Sequence, residues 1–280
     1  MAFSWQGRVV LVTGGSAGLG LSLARAWGRR GARVLIAARD SAKIAAALTE
    51  LTSEGLDARG WPADVTRQSD VDALVHRLQV EYGRLDALVN AVGRSTRGEA
   101  LQVTPEDFRE LMDVNFLSAV RCCRAFAPLL KATSAATATG KQPESWIVNI
   151  GSLASKSAAK YLGGYPPSKF ALAGYSQQLR YELREHGIHV MLVCPGPIKR
   201  TDGGRRYDSL AANLPDAARQ PGGGVQLTGL EPDYIAGKVI RGCEKRHPEL
   251  VLPGKARLLF ALAQLFPRLG DWIVGKKTAR

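Results

Sequence analysis

The sequence predicts a doubly wound α/β domain, and three observations carry that reading. Apolar, β-branched runs alternate with longer helical patterns for about 250 residues. The strand-like runs are apolar nearly throughout, as in parallel strands buried on both faces. A glycine-rich turn joins the first run to the first helix.

The elements follow in order. "RVVLVTGG" reads as a buried strand stopped by glycines, and "LSLARAWGRRG" as the helix after it. "ARVLIAAR" is a second strand, and "SAKIAAALTELTSEG" a second helix with Ser41 as N-cap and Gly55 as its stop. "DARGWPADV" holds a short strand, "QSDVDALVHRLQVEYG" is helical, and "LDALVNAVG" is a strand. "TPEDFRELMDVNFLSAVRCCRAFAPLLKA" reads as one long helix, capped by Thr104 with Pro105 at its first position. "SWIVNIGS" and "IHVMLVCPG" are further strands, with the helix "SKFALAGYSQQLRYELREHG" between them. Two segments read as irregular. Residues Thr133 to Ser145 are small, polar and loop-like, and Arg200 to Gly224 are rich in Gly, Pro and Arg, as in a lid or binding segment. Residues 1–250 are expected to form one domain and 251–280 a helical extension.

Apolar residues at 45% and charged residues at 22% describe a soluble globular chain. Cys122, Cys123, Cys194 and Cys243 show no metal-ligand spacing, so no metal site is expected and a reducing, cytoplasmic compartment fits better than a disulfide framework. "MAFSWQGRVVLVTGG" lacks the pattern of a secretory signal. The net charge of +13 suits nucleic acid, anionic lipid or phosphorylated ligands. Its cations are scattered, however, with no aromatic-interleaved basic motif, so nucleic acid is not expected.

"TGGSAGLG", Thr13 to Gly20, lies between the first strand and first helix. Glycines 14, 18 and 20 permit a tight turn and a close approach of backbone to a pyrophosphate, which the helix N-terminus then stabilises. This loop, the later "NAVG" (Asn90 to Gly93), Ser152, and Tyr165 four residues before Lys169 together resemble the short-chain dehydrogenase/reductase family. The resemblance runs from about residue 7 to residue 200, and the combination of motifs is specific where no single one is.

The resemblance implies a Rossmann-like sheet, a nicotinamide cofactor and a proton-transfer centre of Asn115, Ser152, Tyr165 and Lys169. Tyr165 would act as general acid or base on the substrate oxygen, with a neighbouring ammonium lowering a phenol pKa that lies near 10 in water. Ser152 would bond the same oxygen, and Lys169, one helical turn from Tyr165, would also hold the nicotinamide ribose. Asn115 would kink the long helix and hold a relay water. Tyr161, which has no lysine four residues on, reads as a pocket-wall or packing residue. Pro166 and Pro167 disfavour helical backbone at Tyr165, which would set it just ahead of the helix.

The cofactor residues implied are Thr13, Gly14, Ser16, Gly18, Leu19, Gly20, Arg39, Asp64, Val65, Asn90, Gly93, Tyr165, Lys169, Pro195, Gly196 and Ile198. Where the family carries an acid that holds the ribose of NAD, this chain has Ala38 followed by Arg39, which can pair with a 2′-phosphate. NADP is therefore favoured; the alternative is that Arg39 is solvated and Asp40 takes the ribose. Asp64 would bind adenine with Val65 flanking the ring, and Ile198 would meet the carboxamide through its backbone. The second asparagine of the family's NNAG is Ala91 here, and Arg200 stands where a threonine is usual, so Thr201 is not among the implied ligands.

The expected activity is NADP(H)-dependent interconversion of a carbonyl and a secondary alcohol, with an apolar or lipid-like ketone as substrate. The alternatives are a catalytically silent NADP-binding regulator and a peripheral membrane-binding protein. A homodimer or homotetramer is expected, through the helices that carry Asn115 and Tyr165. The tail holds Lys255, Arg257, Arg268, Lys276, Lys277 and Arg280 against one acid, Asp271. Its apolar stretch, Leu258 to Phe266, is too short to span a bilayer. It suits either a membrane interface or a hairpin covering the cleft or a partner subunit.

Overall fold

The computed structural model describes residues 3–137, 144–199, 210–211, 214–219 and 228–278. Seven strands form one sheet: β1 (Val9–Thr13), β2 (Arg33–Ala38), β3 (Ala58–Pro62), β4 (Ala87–Asn90), β5 (Ser145–Ile150), β6 (Ile188–Pro195) and β7 (Glu249–Leu252). Every pairing is parallel, in the order β3-β2-β1-β4-β5-β6-β7. The strand order reverses between β1 and β4, which opens a crevice at their carboxyl ends where ligands of such sheets bind.

The helices are α1 (Gly18–Gly28), α2 (Ser41–Ser53), α3 (Gln68–Tyr82), α4 (Pro105–Met112), α5 (Ser118–Thr137), α6 (Tyr165–Leu183), α7 (Pro232–Glu244), α8 (Lys255–Leu265) and α9 (Pro267–Thr278). Alternation along β1 sends Val10 and Val12 into a core with Leu23 and Trp27 of α1, Ile44 of α2 and Ile240 of α7. Val9 and Leu11 enter the opposite core, with Leu74 of α3, Phe126 of α5 and Leu183 of α6. The sheet is thus covered on both faces, as its apolar strands require.

The structure adds α7 and β7 to the expected elements and corrects several details. Asp40, not Ser41, caps α2: its backbone is extended and its side chain accepts from the Lys43 N–H. Thr104 and Asp107 form a reciprocal capping box on α4, as the Thr104–Pro105 pattern predicts. The long helix is broken by a π turn, Asp113–Leu117, which holds Asn115. Its continuation runs to Thr137, so the first part of the segment read as a loop is helical. The Thr133 hydroxyl accepts from the Leu85 N–H at 3.0 Å and the Ser134 hydroxyl donates to the Gly187 carbonyl at 2.8 Å, so these small polar residues tie the last turn of α5 to the sheet.

Tyr165 does not precede its helix but opens it, with Gly164 as N-cap. Pro166 and Pro167 then occupy first-turn positions, where a backbone N–H has no intrahelical acceptor to lose. The tail folds as two helices, and no helix of the described residues is long and apolar enough to cross a membrane. Arg200, Thr201 and most of the segment to Gly224 lie outside the described residues.

Candidate active site

The loop after β1 is shaped by the absence of side chains. Gly14 has φ of +73°, and a Cβ on Gly20 would lie 2.1 Å from the Gly14 carbonyl oxygen. The turn therefore closes tightly over the start of α1. Ala17 offers no side-chain cap there, and the first turn carries no acid. The first N–H groups of α1 have no side-chain acceptor among the described residues and lie at the positive end of the helix, which fits a pyrophosphate. Thr13 is buried beneath the loop, while Ser16, Gly18 and Leu19 are accessible at its rim.

At the end of β2, Arg39 is exposed and forms no ion pair among the described residues. Asp40 is committed to capping α2, and its carboxylate also lies 3.5 Å from the Lys43 ammonium. Beyond β3, the Asp64 carboxylate accepts from the Thr66 N–H and hydroxyl at 3.0 and 2.7 Å. Burial acts to raise its pKa, but those bonds and the charges of Arg39 and Arg67 outweigh burial and hold it below the ordinary value. Val65 belongs to the core at 4% exposed, so its main chain rather than its side chain is what the crevice can use.

At the end of β4, Asn90 Nδ2 donates to Asn149 Oδ1 at 2.8 Å and locks β4 to β5. Gly93 sits where a Cβ would lie 3.0 Å from Asn115 Oδ1 and 3.1 Å from Lys169 Nζ. These two side chains therefore converge on one backbone position. Asn115 Oδ1 accepts from the Arg94 N–H at 2.8 Å, and its Nδ2 donates to the Arg94 carbonyl at 2.9 Å and to Ser168 Oγ at 3.0 Å. Ser168 donates in turn to the Tyr165 carbonyl at 2.7 Å. The π turn aims Asn115 across the cleft, where it ties the loop after β4 to the start of α6. Ser168, absent from the predicted set, is the middle of that tie.

Lys169 lies one turn after Tyr165, its Nζ 5.9 Å from the tyrosine ring centroid. Nζ donates to the Ile150 carbonyl at the end of β5 at 2.9 Å. Burial lowers its pKa to about 8. Two residues past Ile150, Ser152 caps a short 3₁₀ turn and its Oγ accepts from the Ala154 N–H at 3.1 Å. The Ser152 hydroxyl proton has no acceptor among the described residues.

Tyr161 adopts left-handed backbone, φ +62°, and its carbonyl accepts from the Gly98 N–H, so this loop forms a wall pinned to the segment after β4. Buried Arg97 extends the wall, donating to the Ala218 carbonyl of the turn Asp216–Arg219. After β6, Pro195 pairs with Leu252 and the Gly196 N–H bonds the Leu252 carbonyl at 2.7 Å. The bonds Leu230 N–H to Pro197 O and Lys199 N–H to Leu230 O bracket Ile198, so its own N–H and C=O face away from residue 230. Ile198 itself makes no backbone hydrogen bond among the described residues, which fits a ligand contact there. All four cysteines are free and buried, and burial raises Cys123 and Cys194 to about 12, which keeps them protonated.

A family model described as "short chain dehydrogenase" matches residues 8–209, and the chain belongs to that family. An uncharacterized oxidoreductase, YxnA, of Bacillus subtilis is 30% identical over 96% of this chain and 72% of its own length. A rhamnolipids biosynthesis 3-oxoacyl-[acyl-carrier-protein] reductase of Pseudomonas aeruginosa is 33% identical over 85% of this chain and 95% of its own. The solved Pseudomonas aeruginosa RhlG/NADP active-site complex superposes with a TM-score of 0.75 at 30% identity, covering 89% of this chain and 96% of that one.

Proposed function

We propose that the protein is an NADP(H)-dependent oxidoreductase that interconverts a carbonyl and a secondary alcohol, with reduction of an acyl-chain ketone as its working direction. The observation that carries this reading is the convergence of Tyr165, buried Lys169 and the Ser152 turn at the carboxyl edge of β5, beside Gly93. The nicotinamide, when bound, supplies the hydride. The Thr13–Gly20 loop and the start of α1 hold the pyrophosphate, Asp64 and the main chain of Val65 face the adenine, and Ile198 presents its backbone to the carboxamide. Tyr165 gives a proton to the carbonyl oxygen, and Ser152 donates a hydrogen bond to the same atom. Lys169 retains two N–H donors beyond its bond to Ile150, for the ribose and for the electrostatics of Tyr165.

Arg39, exposed and unpaired among the described residues, supports the 2′-phosphate of NADP, as does the NADP held by the RhlG complex. Asp40, engaged as a helix cap, speaks against the ribose role. The 3-oxoacyl reductase relative supports a ketone carried on an acyl chain. Leu117 at the end of the π turn and Phe170 on α6, both exposed, support self-association through this face, which sedimentation velocity checks.

The reading is tested by NADPH oxidation with 3-oxoacyl thioesters and long-chain ketones, wild type against Tyr165→Phe. Turnover should fall roughly 10²- to 10⁴-fold while NADPH still binds. Undiminished turnover in Tyr165→Phe would overturn the assignment.

A further inference from the structure

The two terminal helices and Phe266 between them expose a set of large apolar side chains, Leu258, Leu262, Leu265, Phe266, Leu269 and Trp272. On α8, Ala256 and Phe260 point inward and pack with Leu192, Cys194, Val251 and Leu153, and Ala263 meets Gly270 of α9. A Cβ on Gly270 would stand 2.6 Å from Ala263 Cβ, so the two helices are in close contact there. Leu258, Leu262 and Leu265, at i, i+4 and i+7, form the opposite face of α8 and stand in solvent. A helix apolar on both faces calls for two covers, and the protein supplies one.

Charge identifies the second cover. Lys255 and Arg257 edge the outward stripe of α8, and Arg268 shares the outward side of α9 with Trp272. Lys255, Arg257 and Arg268 have no ion-pair partner among the described residues, and the one acid of the hairpin, Asp271, leaves them in excess. A second copy seated on this hairpin would bring the same uncompensated cations against it. Anionic lipid headgroups supply the missing charge while the acyl boundary receives the leucines and the tryptophan. At 11 and 12 residues the helices can lie in an interface but not cross it.

We propose that the α8–α9 hairpin is an interfacial docking face for an anionic membrane surface. Phe260, on the inward face of α8, shares its packing cluster with Leu153, the residue after Ser152, so the hairpin is anchored to the domain beside the Ser152 turn. The inference rests on the hairpin alone and not on the reaction.

Tryptophan fluorescence reads it directly. Of the five tryptophans, Trp5, Trp27, Trp61 and Trp146 are 8% exposed or less, and Trp272 is 59% exposed, so acrylamide quenching reports on the hairpin. The full chain should co-sediment with phosphatidylglycerol/phosphatidylcholine vesicles, shield Trp272 from quencher, and bind pure phosphatidylcholine far more weakly. Leu258→Ser with Leu265→Ser, and separately Arg257→Gln with Arg268→Gln, should each weaken the association roughly 30-fold. Both pairs are surface changes, and circular dichroism confirms folding; should the leucine pair unfold, the arginine pair carries the test. No association with anionic vesicles, or equal association by the arginine variant, overturns the proposal. Absence of vesicle binding together with a concentration-dependent oligomer that the leucine variant dissolves also overturns it, and identifies a second copy as the cover.

Discussion

Lys169 donates from Nζ to the main-chain carbonyl of Ile150 at 2.9 Å while only 3% of the residue is exposed. Its ammonium is held by one carbonyl in a place water barely reaches, and burial brings its pKa down to about 8. The sign of the pH dependence follows. Between about pH 8 and about 10.4 the unfolded chain keeps this proton and the folded chain has released it, so stability contributed by this group rises across that window. Below pH 8 both states are protonated and the contribution is flat. Urea unfolding of wild type and Lys169→Met at pH 7.5 and 10 should show the wild type gaining on the variant by on the order of 3 kcal/mol. A difference that does not change with pH refutes the buried-ammonium account.

Asn115 and Ser168 are not equivalent partners in the tie between the loop after β4 and α6. Asn115 holds both the N–H and the C=O of Arg94, whereas Ser168 meets only its Nδ2. Asn115→Ala strands two backbone groups and should cost roughly 2–3 kcal/mol in urea unfolding. Ser168→Ala leaves both Arg94 bonds intact and should cost about 1 kcal/mol. Equal losses would show that the Arg94 bonds do not hold the loop.

Arg39→Asp tests the cofactor reading. A guanidinium pairing with a 2′-phosphate is a charge-assisted contact, and its replacement by a carboxylate adds repulsion. KM for NADPH should rise roughly 10- to 100-fold while KM for NADH falls or holds. An unchanged ratio of the two would assign Arg39 to solvent.

Strands and the glycine loop were legible because each is a local pattern: an apolar run, then glycines where backbone must pass backbone. What escaped depends on distant partners. Thr133 and Ser134 read as loop residues, yet their hydroxyls bond Leu85 and Gly187, and the helix extends to include them. Ser41 and Asp40 are both good caps, and only the extended backbone at Asp40 decides between them. Ser168 carries no signal of its own, since Asn115, which it bonds, is 53 residues earlier. Val65 follows Asp64 in a motif, and the direction of its side chain into the core is set by packing across the sheet. The displacement of Tyr165 expected from Pro166 and Pro167 does not occur, for a local reason: the first turn of a helix tolerates prolines that its interior would not.

Asp86 anchors the end of the sheet opposite to the site. It is 0% exposed, and its carboxylate accepts from Arg8 Nη1 at 3.1 Å, Arg84 Nε at 2.9 Å and the Val9 N–H at 2.9 Å. Arg8 also bonds Glu144, so the network staples the amino ends of β1, β4 and β5 together. Asp86→Ala strands the buried Val9 N–H, takes the carboxylate from Arg84 and leaves Arg8 with Glu144 as its carboxylate partner, and should destabilise by roughly 2–4 kcal/mol. The crevice lies at the carboxyl ends of the same strands, so NADPH affinity per folded molecule should be unchanged. Urea unfolding and a nucleotide titration on the folded fraction separate the two effects. A variant that keeps its stability would show the network to be dispensable. One that folds normally but loses nucleotide would mean that the two ends of the sheet are coupled.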